Sequence, residues 1–102
     1  MNKLRFNNTL EKGSVTFLIV KENNKYYGVC LEFDLIVEAD SAKEAQIQIE
    51  DYAKLWHKNA VNNRLPVEVL NRPAPDKYWK IYEELVKQDQ ETIEAKKHTH
   101  TP

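Results

Sequence analysis

From Ser14 to Lys21 the chain is rich in β-branched and aromatic residues, and the side chains fall on two sides of an extended chain. Val15, Phe17 and Ile19 share one side and Thr16, Leu18 and Val20 the other, which predicts a strand covered on both faces. Glu22-Asn23-Asn24 is short, polar and tolerant of turn geometry, so a hairpin into the next strand is expected. Lys25 to Phe33 is that second strand. Its row Tyr27, Val29, Leu31 and Phe33 is the better core face; Tyr26, Gly28, Cys30 and Glu32 form the other. A glycine inside a strand marks a bulge or the close approach of another backbone. After a change of direction near Asp34, Leu35 to Glu38 reads as a third strand.

The period then changes. Ala42, Ala45, Ile49, Tyr52, Ala53, Trp56 and Ala60 recur at helical spacing, small at the start of the stripe and aromatic toward its end. Asp40 or Ser41 can cap this helix, and with Ser41 as cap Glu44 completes a capping box. The helix should end near Asn62-Asn63, with Ile47 and Leu55 off the stripe. Residues 63–75 form a linker holding three of the four prolines. Within it, Val67 to Leu70 is open between a short edge strand and irregular chain. Asp76 starts a second helix running to about residue 96, with Tyr78, Tyr82, Leu85, Val86 and Ile93 on one side. The tail, 97–102, is expected to be disordered. Residues 1–13 read as an arm, with a short extended piece at Leu4–Phe6.

The pattern therefore predicts an α+β fold in one domain: a three- to four-stranded antiparallel sheet packed on one long helix (β-β-β-α), plus a C-terminal helix. The core spans about residues 14–62. At 102 residues the chain fits a single modest core. A net charge of −1 argues against a general nucleic-acid binder. A single cysteine, Cys30, excludes an internal disulfide and fits a reducing, cytoplasmic setting. There is no apolar run of signal-peptide or membrane-span length.

Few residues invite chemistry. Asp34, Glu38 and Asp40 gather carboxylates near the third strand, as a divalent metal would need, but each also has an ordinary role as turn residue, outward strand residue or helix cap. Cys30 with His57 as base would make a nucleophile, yet a strand cysteine is more often a small buried apolar group. His98 and His100 have loose metal spacing without partners elsewhere. Tyr78, Trp79 and Tyr82, with Lys77 and Lys80 beside them, suit stacking on single-stranded nucleic acid, a protein or self-association contact, or packing of the second helix on its own domain. No catalytic residue, metal site or cofactor is expected.

The run from Gly28, G-x-C-x-E-F-D-L-I-V-x-A-D-S-x-x-E-A, following a first strand, resembles the HicB antitoxin-like family. The resemblance covers about residues 15–62. It rests on Gly28, Cys30 and Glu32 in the strand, on Asp40, Ser41, Glu44 and Ala45 opening the helix, and on the strand–strand–strand–helix order. Ala39 stands where that family commonly has glycine. The resemblance implies a truncated ribonuclease-H-like β-β-β-α unit lacking the nuclease's catalytic acids. It implies a homodimer or higher homo-oligomer, and a HicA-type toxin, a small RNA-cleaving protein, as partner. Many members add a helix-turn-helix or ribbon-helix-helix segment. Here only one helix follows residue 62, which leaves DNA binding doubtful. The function expected is thus a non-catalytic interaction module of antitoxin type. A nucleic-acid-binding regulator, or a HicB-like protein without a toxin, is the alternative, and a nuclease is the weakest reading.

Overall fold

The computed structural model describes residues 8–11, 13–88 and 97–100. Gly13–Glu22 (β1) and Lys25–Cys30 (β2) pair antiparallel, with Glu22 opposite Lys25. Asn23 and Asn24 between them both take positive φ, 52° and 67°. That is the two-residue turn whose twist matches the strands, and asparagine is among the few residues that adopt it readily. β2 then leaves the sheet through a turn in which Asp34 also has positive φ (58°) and donates its N–H to the Cys30 carbonyl at 3.0 Å. Leu35–Ala39 (β3) returns along β2, with Val37 opposite Gly28.

Ala42–Asn62 (α1) starts as expected. The Ser41 hydroxyl accepts from the Glu44 N–H at 3.1 Å, and the Glu44 carboxylate accepts from the Asp40 N–H at 3.3 Å. The small end of its stripe is what lets it lie close to the sheet. A Cβ on Gly28 would stand 2.7 Å from the Ala45 carbonyl oxygen and 3.0 Å from the Ile49 Cβ.

The apolar residues on both sides of β1 find two separate covers. Val15, Cys30, Phe33 and Leu35 pack with Ile49, Ala53 and Ala60 of α1. Leu18, Val29 and Leu31 pack with Ala74 and with Tyr78 and Trp79 of the second helix, Asp76–Gln88 (α2). The two helices thus lie on opposite faces of the sheet. The chain crosses between them past the end of β2, where Arg72 N–H donates to the Glu32 carbonyl (2.8 Å) and Ala74 N–H to the Leu31 carbonyl (2.9 Å).

Four expectations are corrected. The second strand ends at Cys30, not Phe33, because Leu31 and Phe33 belong to the turn into β3. Its two rows are not a core row and an outward row: Gly28 and Cys30 face α1 while Val29 faces α2, since a helix covers each side. Val67–Leu70 is a single 3₁₀ turn and not an edge strand. It lies against the end of α1, where the Trp56 indole donates to the Val69 carbonyl at 2.7 Å and Leu70 is buried. Finally, Lys97–His100 is not disordered but forms a strand (β4) antiparallel to β1, pairing Val15 with His98. Backbone pairing to an open edge needs no apolar pattern, so composition gave no sign of it. The sheet order is β3-β2-β1-β4. The expected extended piece at Leu4–Phe6 and the stretch 89–96 of the second helix lie outside the described residues.

Candidate functional site

Each group that sequence reading marked for chemistry has a definite place. Asp34, Glu38 and Asp40 are all exposed. Asp34 sits in the turn before β3; Glu38 and Asp40 are at the other end of that strand. The Lys25 ammonium bonds the Asp40 carboxylate at 3.0 Å and lies 3.8 Å from Glu38. The hydrogen bond to Asp40, then the charges of Asp40 and Glu38, raise the lysine's pKa. No group of three or more metal-ligating side chains comes together among the described residues.

Cys30 is wholly buried under α1. Burial first, and the Glu32 charge second, push its thiol up to about 12, so at neutral pH it stays protonated and behaves as a small apolar side chain. His57 lies on a flank of α1 with its Nε2 3.1 Å from the Leu10 carbonyl oxygen. That bond joins it to the arm before β1. His98 and His100 are placed by the backbone opposite Val15 and Gly13.

Glu32 has a role that pattern reading did not foresee. The β1–β2 ladder continues one step past β2, with Leu31 N–H donating to the Thr16 carbonyl at 3.1 Å. The Leu31 carbonyl is turned to Ala74, so it does not serve the Thr16 N–H. The Glu32 carboxylate does so instead, accepting from the Thr16 N–H at 2.6 Å and from the Thr16 hydroxyl at 2.9 Å. A side chain here stands in for a strand carbonyl. Burial, followed by the nearby Glu32 charge, raises the pKa of the Tyr82 phenol.

Tyr78 and Trp79 are buried against the sheet, with the Tyr82 ring edge-on to Trp79 at 6.4 Å between centroids and the Lys77 ammonium 5.0 Å from the Tyr78 ring centre. The faces of Tyr78 and Trp79 are therefore inside the chain; among the described residues Ile81, Tyr82, Leu85 and Val86 bring apolar surface of α2 toward solvent. Of the residues quoted for the resemblance, Gly28 and Ala45 meet in the close approach of helix to sheet, Cys30 fills the core, Glu32 secures Thr16, and Asp40, Ser41 and Glu44 build the helix cap.

The exposed apolar side chains were the weaker signal in the sequence. Ile36, Ile47, Tyr52, Leu55, Val61, Val67, Leu85 and Val86 all reach the surface. Tyr52 was expected on the buried stripe but lies at its margin. A second feature that no pattern announced is the Asn8–Asn71 pair. Asn8 N–H donates to the Asn71 side-chain oxygen (3.0 Å), and the Asn71 amide donates to the Asn8 carbonyl (2.9 Å), fastening the arm to the 3₁₀ turn. No helix among the described residues is long and apolar enough to cross a membrane. No family model matches the chain, and neither a curated protein nor a solved structure does.

Proposed function

We propose that the chain is a non-catalytic interaction module of the HicB antitoxin-like kind, a homo-oligomer that covers a small RNA-cleaving toxin in the cytoplasm. One observation carries the reading. Cys30, Glu32 and the Asp40–Glu44 cap are used to hold the fold, while Ile36, Ile47, Tyr52, Leu55, Val61, Val67, Leu85 and Val86 bring apolar side chains to the surface. Cys30 is core, Glu32 closes the sheet end, and Asp40 and Glu44 belong to a helix cap. Exposed apolar patches of this sort mark contact surfaces. The β-β-β-α order and the D-S-x-x-E-A cap support the resemblance on which the toxin part rests.

The test is co-expression with the small protein encoded beside this chain, scored by growth and by co-purification. Protection with a stable complex is the expected result. A folded chain that neither binds nor protects would overturn the toxin reading. Salt-sensitive binding of RNA or DNA by the isolated protein would favour the regulator instead.

A further inference from the structure

We infer that the open edge of β3 docks an extended segment of another protein, apolar along its middle and basic at both ends, which joins the sheet as a further strand. The inference does not rest on the toxin reading, since any protein that offers such a segment would fit. The ladders set the backbone of this edge. Leu31 N–H donates to the Thr16 carbonyl, so along β2 the odd-numbered residues turn N–H and C=O toward β1. The even-numbered ones turn toward β3, where the Cys30 carbonyl accepts from the Asp34 N–H. Their partners Leu35, Val37 and Ala39 are thereby engaged, and Ile36 and Glu38 direct N–H and C=O away from the sheet. The Asp40 N–H, the next outward donor, is taken by the Glu44 carboxylate. No strand lies beyond β3 among the described residues. Nor does β3 carry proline or lysine, with which exposed edges are often guarded.

Charge selects the occupant. Asp34, Glu38 and Asp40 are exposed along this edge, with Lys25 shared between the last two. Around α1, at ~100° per residue, Gln48, Tyr52, Leu55 and Asn59 lie on the flank opposite His57. His57 reaches the arm before β1, so that flank faces the β3 side. Glu44 and Asp51 border it, whereas Lys43 and Lys54 lie on the His57 side and Lys58 on the outer face. The edge is therefore acidic along the strand and beside the helix. It repels nucleic-acid phosphates, and a second copy would bring the same carboxylates to it.

Space agrees with a single added strand. Gly28, opposite Val37, lies under Ala45 and Ile49, so α1 runs over β2. A strand beside β3 stands about two strand spacings from β2, roughly 9–10 Å. A helix with its side chains reaches about 5–6 Å from its axis. Residues of the added strand on the α1 side thus stand beside Tyr52 and Leu55, which are 40% and 63% exposed, and clear the helix backbone. A second copy paired here would set its own α1 about three spacings away, roughly 14 Å. Packed helices stand about 8–10 Å apart, so the two helices would not close over those side chains.

The register follows, because residues directly opposite share a face. A basic residue opposite Glu38 meets its carboxylate, and a second falls against Asp34 at the other end. Apolar residues opposite Val37 and Leu35 lie on the α1 side, toward Tyr52 and Leu55. The residue between them adjoins Ile36, whose exposed side chain is on the α2 side.

The test is a titration followed by backbone amide shifts, with the capped peptide Arg-Leu-Thr-Leu-Arg and its acidic counterpart Glu-Leu-Thr-Leu-Glu. The basic peptide should move the Ile36 and Glu38 amides more than those of Leu35, Val37 and Ala39, and its binding should weaken with salt. Glu38→Lys replaces an attractive cross-strand pair by a repulsive one and should weaken the basic peptide about tenfold. The same variant should gain binding of the acidic peptide. Ile36→Pro removes an outward N–H and no bond of the sheet, so it should stay folded by circular dichroism and lose the basic peptide. An unfolded Ile36→Pro would mean that this N–H serves the sheet, which overturns the edge. Absent shifts, shifts without the alternation, or an equal response to both peptides would also sink the inference. Alternating shifts on dilution of the protein alone would give the edge to a second copy and count against it equally. None of these outcomes touches the toxin reading, which keeps its own co-purification test.

Discussion

At Gly28 a single carbon atom decides whether helix and sheet can meet. The atom nearest to an added Cβ is the backbone oxygen of Ala45, which cannot swing aside as a side chain would. Gly28→Ala should therefore lift α1 from β2 and cost about 1–3 kcal/mol in urea unfolding, the usual range for overpacking. A cost within error of zero would show that the helix floats. Cys30, the next residue along the same face of β2, is the second sensitive position. Its folded pKa of about 12 lies above the unfolded value, ordinarily about 8.5. The unfolded chain therefore releases the proton first as pH rises, and the thiol's contribution is intact below the unfolded pKa. Above it, stability falls at about 1.4 kcal/mol per pH unit until the folded pKa is reached. Lys25, its pKa also raised, loses its contribution at alkaline pH too, so the difference between wild type and Cys30→Ala isolates the cysteine. That difference should shrink steadily above about pH 9. Its constancy to pH 11 would mean that the thiol is not desolvated. Thr16 is the third position. Glu32→Ala removes the carboxylate that accepts from its N–H and should cost about 1–3 kcal/mol, and Glu32→Gln, which retains one acceptor oxygen, should cost less.

Among the elements, those whose periodicity was strong were legible. β1 showed apolar residues on both sides and is covered on both; the Ser41–Glu44 box placed the start of α1 to the residue. Legibility failed where contacts are made by backbone or by distant partners. β4 pairs through main-chain groups that any sequence carries. Val67–Leu70 has β-forming residues, but Pro66 before it and the pull of the α1 end turn it into a 3₁₀ coil. The surface followed the same logic: whether Tyr52 is core or margin depends on how far the sheet extends beneath α1, which periodicity does not encode. The helix phase itself remains testable. Trp56 is half-buried and donates to the Val69 carbonyl, so Trp56→Ala empties space and strands that oxygen, at a cost of about 3 kcal/mol, the low end for tryptophan truncation. Ile47→Ala, at an exposed position, should change stability by less than about 0.5 kcal/mol. Equal costs in urea would mean that α1 is rotated from the orientation described.

For the whole molecule the decisive fact is that β1 and β2 are covered on both faces, so α2 is part of the domain's stability and not a detachable addition. Remove it and Leu18, Val29 and Leu31 face water together, with Val20 beside them. Burying an aliphatic side chain of that size contributes about 1.5–3 kcal/mol, so four of them outweigh much of the ~5–15 kcal/mol by which a domain is usually stable. The Thr16–Glu32 closure would loosen too, because the segment from Arg72 to Ala74 holds the turn that presents Glu32. A chain ending at residue 75 should then fail to fold cooperatively. Its far-ultraviolet dichroism should retain helix from α1, its near-ultraviolet signal should collapse, and it should bind a hydrophobic dye that the full chain does not. Replacing Tyr78 and Trp79 together by alanine in the full-length protein should move it in the same direction, since those two rings are the buried contact of α2. This comparison separates the two roles open to the aromatics. If the double variant folds as tightly as the wild type but loses a partner, the rings serve an interface. If it loosens in step with the truncated chain, they serve the second core, and the contacts of the protein with other molecules must be sought away from these two rings.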